Sequence, residues 1–197
     1  MTANLNGKST ILGHRKAIIK AASFCIREKG ICGCSMVDIA SCSHMSVGQI
    51  YRCFKSKMEI VQESLKDNID KQIELLTVIY SRPDPLDYIL TRNVVQNKNF
   101  PEQFVWDLKV IFRTESMFHQ ELSSLLYHQE KTLTNKHLSL VKSGLLCLRE
   151  YDVEVIPEVV DFLITETTMV RNIKKVDGKT ITTIYKNLIS SLKYPNV

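Results

Sequence analysis

Apolar residues recur along this chain at intervals of three and four, the period of a helix with one buried face. Ile11, Ile18, Ala21, Ala22, Cys25 and Ile26 set the first stripe and predict a helix over about 11–29. Gly30, after the charged turn Arg27-Glu28-Lys29, fits a C-terminal glycine cap. Met36, Ile39 and Ala40 give a short second helix capped by Ser35, and Ser43-His44 interrupts the pattern. Ser46 caps a third helix, whose apolar face is reduced to Ile50 and Phe54. From Lys57 towards Tyr80 the stripe is long: Ile60, Val61, Leu65, Ile69, Ile73, Leu76 and Ile79. At 1.5 Å per residue this helix spans roughly 35 Å, enough for a strut between two domains. The prolines Pro83 and Pro85 close it.

Five further helices are expected, over about 85–98, 103–117, 120–141, 157–173 and 180–192. Their stripes include Leu86 and Ile89, Leu108 and Phe112, Leu122 and Leu133, Val160 and Leu163, and Ile184 and Leu188. Asn99-Phe100-Pro101, the stretch from Gly144 to Pro157, and Asp177-Gly178 are the breaks. No strand alternation, repeat or low-complexity tract intervenes, so the fold is predicted to be all-α with about nine helices.

The segment Ser35–Lys57 stands out because its third helix buries so little. With only Ile50 and Phe54 as anchors, Val47, Gly48, Gln49, Tyr51, Arg52 and Cys53 are left on exposed or half-exposed sides. Two short helices around a tight turn, the second showing mixed polar and aromatic residues, suit a helix-turn-helix in a DNA major groove.

Charge placement strengthens this reading. The net charge is +5 over 197 residues, yet residues 1–60 alone carry nine basic residues against three acidic ones, and the remainder is nearly neutral. Positive charge gathered at the turn motif is the footprint of a polyanion contact. With 44% hydrophobic residues the chain can bury a core. No run reaches the 18 or so apolar residues of a membrane span, and the N-terminal stretch lacks a signal-peptide apolar region. A cytoplasmic protein with no membrane association is therefore expected.

Six cysteines, five of them in the N-terminal module, are read as reduced thiols. Cys32, Cys34, Cys42 and His44 invite a zinc reading. The first two precede the second helix and the last two sit at its far end, about 12 Å away at 1.5 Å per residue, too far for one tetrahedral ion. No metal and no cofactor is expected.

With these elements in place, the N-terminal part resembles the TetR/AcrR family of bacterial regulators. Ala21-Ala22, Phe24, Gly30, Ser35 and Asp38-Ile39-Ala40 carry the resemblance, and the densest match is the run from Ser46 to Tyr51 followed by Phe54 to Lys57. About residues 11–60 are covered. The resemblance implies a DNA-binding domain over 1–56 on a ligand-binding and dimerisation domain over 57–197. It implies a homodimer that binds a palindromic operator in double-stranded DNA, usually represses, and lets go when a small molecule occupies the C-terminal domain. Ser35 and Lys57 match positions that hold phosphates. Val47, Gly48, Gln49, Tyr51, Arg52 and Cys53 match the groove face, with Lys55 in the same DNA-binding set. The family usually has glycine where this chain has His44, a position that can demand a left-handed backbone.

Gln49 can pair with adenine and Arg52 with guanine, while Tyr51 can pack on the sugar-phosphate wall or a thymine methyl. In the C-terminal part Trp106 is the sole tryptophan, with Phe104, Phe112 and Tyr127 near it in sequence, and these four are the candidate effector contacts. The last two helices, about 157–173 and 180–192, are the expected dimer face, paired across a two-fold axis. An enzyme is not expected: there is no HExxH or GxSxG, and Gly178-Lys179-Thr180 lacks the upstream glycine of a phosphate loop. The alternative function is a DNA-localised protein-interaction scaffold of the same fold with no small-molecule inducer.

Overall fold

The computed structural model describes residues 3–94, 101–143, 152–173 and 178–191. Among them there are nine helices and no strand: α1 (Ala3–Gly33), α2 (Met36–Ser43), α3 (Val47–Cys53), α4 (Lys57–Tyr80), α5 (Pro85–Val94), α6 (Pro101–Ser116), α7 (Gln120–Ser143), α8 (Ile156–Ile173) and α9 (Gly178–Ser191). The all-α expectation holds. Pro101 opens α6 rather than preceding it, because a proline at the first helical position gives up only an N–H that has no partner there. Gly178 likewise opens α9. The expected residues 95–98 and 192, the Asn99-Phe100 part of the break and Asp177 lie outside the described residues.

Contacts divide the chain into two compact units. One comprises residues 1–68 and 111–126, the other 69–110 and 127–197. In the first unit Ile18, Ala22 and Ile26 of α1, Ile39 of α2, Ile50 of α3 with Phe54, and Ile60 and Leu65 of α4 are buried, as are Phe112 and Leu122. Ile11, expected to face inward, is 52% exposed, since the amphipathic pattern of α1 runs on past the residues that α2 and α3 cover.

In the second unit the core is built from Leu76, Ile79, Ile89, Trp106, Leu108, Val141, Ile156, Val160, Leu163 and Ile164. Helix α5 packs on α8 and α9. Polar groups are buried there too. Lys109 is 5% exposed and pairs with Asp161, and its ammonium lies 5.8 Å from the Trp106 ring centre. Tyr80 Oη and His137 Nε2 are 2.8 Å apart, with both residues buried.

Burial of His137 makes a prediction for stability. Its pKa falls from the ordinary 6.5 to about 4, chiefly through desolvation, with Lys109 acting in the same sense and Asp161 against it. Between these values the unfolded chain takes up a proton that the folded chain does not. Stability from this group is therefore complete above pH 6.5 and declines as the pH falls towards 4, by about 3 kcal/mol. Urea unfolding of wild type and His137→Gln across this range is expected to show a shallower decline in the variant.

Candidate nucleic-acid interface

Two capping boxes build the helix-turn-helix. Ser35 Oγ accepts from the Asp38 N–H at 3.1 Å, and the Asp38 carboxylate receives the Ser35 N–H at 2.8 Å. Ser46 Oγ accepts from the Gln49 N–H at 3.2 Å, and Gln49 Oε1 receives the Ser46 N–H at 2.7 Å. Each box satisfies orphan donors at a helix start with groups supplied by the same helix. Between them, His44 adopts φ 55°, ψ 35°, the left-handed conformation anticipated at this turn. Its N–H reaches the Ser41 carbonyl at 3.2 Å and the Met45 N–H reaches the Ala40 carbonyl at 3.0 Å, a Schellman closure of α2. The turn therefore takes a left-handed backbone with histidine rather than glycine, and Met45 is half-buried.

Helix α3 sits on two anchors, Ile50 at 0% and Phe54 at 1% exposure. Arg15 of α1 holds the second one: its guanidinium carbon is 4.0 Å from the Phe54 ring centre, Nη1 donates to the Cys53 carbonyl, and it pairs with Glu59 at 3.5 Å. Gly48, Gln49, Tyr51 and Arg52 are exposed, and Val47 and Cys53 half-buried. A Cβ at Gly48 would meet only Ser46 Oγ, at 3.9 Å, so nothing inside the fold requires glycine there.

The flanking residues are more committed than the sequence showed. Ser35 Oγ donates to Asp38 at 2.6 Å, and Asp38 is paired with Lys29 at 2.5 Å. Lys29 first, and Ser35 after it, hold the Asp38 carboxyl well below the usual carboxylate range. Lys57 Nζ reaches the Cys32 carbonyl at 3.4 Å. Lys55 is exposed, and its N–H donates to Glu59 at 2.6 Å. Glu59 and Ser56 thereby shape the start of α4, since the Ser56 hydroxyl accepts from the Glu59 N–H at 3.1 Å.

Gly30 marks the junction between α1 and α2. At φ 73°, ψ 172° it breaks α1 and leaves the following N–H groups without helical partners. The Glu115 carboxylate from the end of α6 takes them: Ile31 N–H donates at 2.8 Å and Cys32 N–H at 3.3 Å to Oε2. A Cβ at residue 30 would lie 2.4 Å from Glu115 Oε1. Gly30→Ala combines a left-handed strain with loss of this charged cap, and is expected to cost on the order of 2–4 kcal/mol. In a Glu115→Ala background, where the clash is gone, chemical denaturation should show the smaller strain cost alone.

Helix α1 brings Cys25 against α2, with its Sγ 3.2 Å from that of Cys42. Burial first, then Cys42, pushes the Cys25 thiol up to about 12, so it stays protonated.

The four expected effector contacts are divided between the two units. Phe112 is buried in the first unit, whereas Phe104, Trp106 and Tyr127 belong to the second. Trp106 is buried, Phe104 half-buried and Tyr127 68% exposed. Tyr127 instead lines a surface depression of about 360 Å³ with Glu130, Lys131, Thr134 and Asn135, all on α7.

The family model described as bacterial regulatory proteins, tetR family, matches residues 18–63, the span from the buried part of α1 into α4. No curated protein sequence matches the chain significantly. Among solved structures, a TetR-family transcriptional regulator from Mesorhizobium loti is similar in fold at 13% identity, with 92% of this chain and 96% of that one covered and a TM-score of 0.68. FadR from Bacillus subtilis, solved with stearoyl-CoA, is similar at 21% identity, with 91% and 99% covered and a TM-score of 0.64. Salmonella enterica GusR is similar at 21% identity, with 91% and 96% covered and a TM-score of 0.62. The capped helix-turn-helix thus lies within the stretch that matches the tetR family model, and the chain shares its all-helical fold with solved TetR-family regulators.

Proposed function

We propose that the chain is a homodimeric, ligand-responsive repressor that reads a palindromic operator with α3. The observation that carries this reading is the outer face of α3. Gly48, Gln49, Tyr51 and Arg52 are exposed while Ile50 and Phe54 fix the helix from below. Glycine at 48 costs helix stability relative to alanine and has no internal purpose, which fits a place where a DNA backbone or base edge comes close. Arg52 offers guanine N7 and O6 a bidentate donor, and Tyr51 offers a ring to the groove wall. Gln49 Oε1 is occupied by the Ser46 N–H, so its amide NH₂ is the free hydrogen-bonding end. It donates one bond to a base acceptor unless DNA opens the capping box.

Lys57, Lys55 and Ser35 serve the phosphates beside α3, Val47 and Cys53 flank the reading face, and the boundary between reading and sensing functions falls at 56/57. The dimer forms through α8 and α9. These helices leave Phe162 and Ile184 each 56% exposed and Leu188 38% exposed, an apolar face suited to a second copy. Two α3 helices then read half-sites about 34–36 Å apart. The effector is a small molecule held in the second unit. The protein acts in the cytoplasm without catalysis; no described helix is long and apolar enough to cross a membrane.

Footprinting on DNA upstream of the chain's own coding region tests this. Two protected half-sites one helical turn apart, bound by a dimer, are expected. Protection with no symmetry, or by a monomer, contradicts the dimeric reading.

A further inference from the structure

The Gly30 junction gathers three metal-binding side chains that the DNA-reading role does not use. Cys32 Sγ, a Glu115 carboxylate oxygen and His119 Nε2 all lie within 4.8 Å of one another. Cys32 follows the break in α1, Glu115 ends α6, and His119 precedes α7, so two segments more than eighty residues apart converge. Cys32 is exposed and the other two half-buried, which leaves the site open to an ion from solution.

The distances suit a tetrahedral ion. Zinc bonds of about 2.3 Å to sulfur and 2.0–2.1 Å to nitrogen, at a tetrahedral angle, set those two atoms about 3.6 Å apart. Cys32 Sγ and His119 Nε2 are 3.4 Å apart. The Glu115 carboxylate is already oriented by the Ile31 and Cys32 N–H groups and has lone pairs to spare, the kind of outer support that metal-ligating carboxylates receive. A thiolate with an imidazole selects a borderline transition metal over magnesium or calcium.

We infer that Cys32, Glu115 and His119 form a three-residue site for a divalent transition ion of zinc type, with the fourth position open to water or a small ligand. Binding displaces the Cys32 thiol proton to solvent and leaves the charge on a thiolate ligand. The ion bridges the α6–α7 turn and the residues leading into Ser35. This assignment stands whether or not α3 reads DNA.

Zn(II) titration of the full, reduced chain by calorimetry tests the site, with Co(II) absorption as a second reading of tetrahedral thiolate coordination. One saturating equivalent is expected, with affinity weakened at least tenfold in both Cys32→Ser and His119→Gln. A rise in Tm on adding Zn(II) should appear in wild type and vanish in Cys32→Ser. Cys32 is exposed, so its serine variant keeps the fold. No saturable binding overturns the site, and so does wild-type affinity in both variants, which would place the metal elsewhere on the chain.

Discussion

Tyr51→Ala combined with Arg52→Ala is expected to lower affinity for the operator by roughly 10²–10⁴-fold while leaving the fold intact. Each side chain is worth about 1–3 kcal/mol if it meets a base edge or groove wall, and 1.4 kcal/mol is a factor of ten. Both residues are exposed, with Tyr51 at 54%, so their loss should move unfolding by no more than about 0.5 kcal/mol. Electrophoretic mobility shift and urea unfolding on the same preparations separate the two effects. Gln49→Ala is a poorer probe, because it also removes the Oε1 that closes the Ser46 capping box, and its binding loss would mix with helix fraying.

Phe54→Ala should produce the largest loss of stability, about 3–5 kcal/mol. The ring is 1% exposed and is one of only two anchors of α3. Its removal leaves a cavity under the reading helix and takes away the surface on which Arg15 stacks. Arg15 also holds the Cys53 carbonyl and Glu59, so the ties from α1 to the end of α3 and the start of α4 loosen together. The urea midpoint should drop with little change in slope, and operator binding should fail at temperatures where wild type still binds. A loss below about 1 kcal/mol would mean that α3 is held by other contacts.

The parts legible in the sequence are those governed by local chemistry. Ser35 and Ser46 announce their helices because a cap is satisfied within three residues. Ile50 and Phe54 announce the buried side of α3 because helical period fixes which residues share a face. Gly30 was recognisable as a helix end for the same reason, and His44 as a position of special backbone through the family resemblance; both have positive φ.

What the sequence hid depends on distance along the chain. Nothing near Glu115 marks it as the partner of Ile31, eighty-four residues away, and nothing near His137 marks it as the partner of Tyr80. Sequence proximity to Trp106 does not fix burial either: Phe112 is buried within the first unit, whereas Tyr127 in the second is exposed. The rise of α2 separates cysteines along its own length, but α1 brings Cys25 against Cys42.

One comparison tests whether α3 makes this chain a sequence-specific DNA-binding protein. The affinity of the full chain for its own upstream fragment is measured against a scrambled fragment of the same composition, at about 50 and 200 mM salt. Tighter binding to the upstream fragment by about 10³-fold or more is expected, with both affinities falling as salt rises. Equal affinity for the two fragments at both salt concentrations would contradict sequence-specific binding.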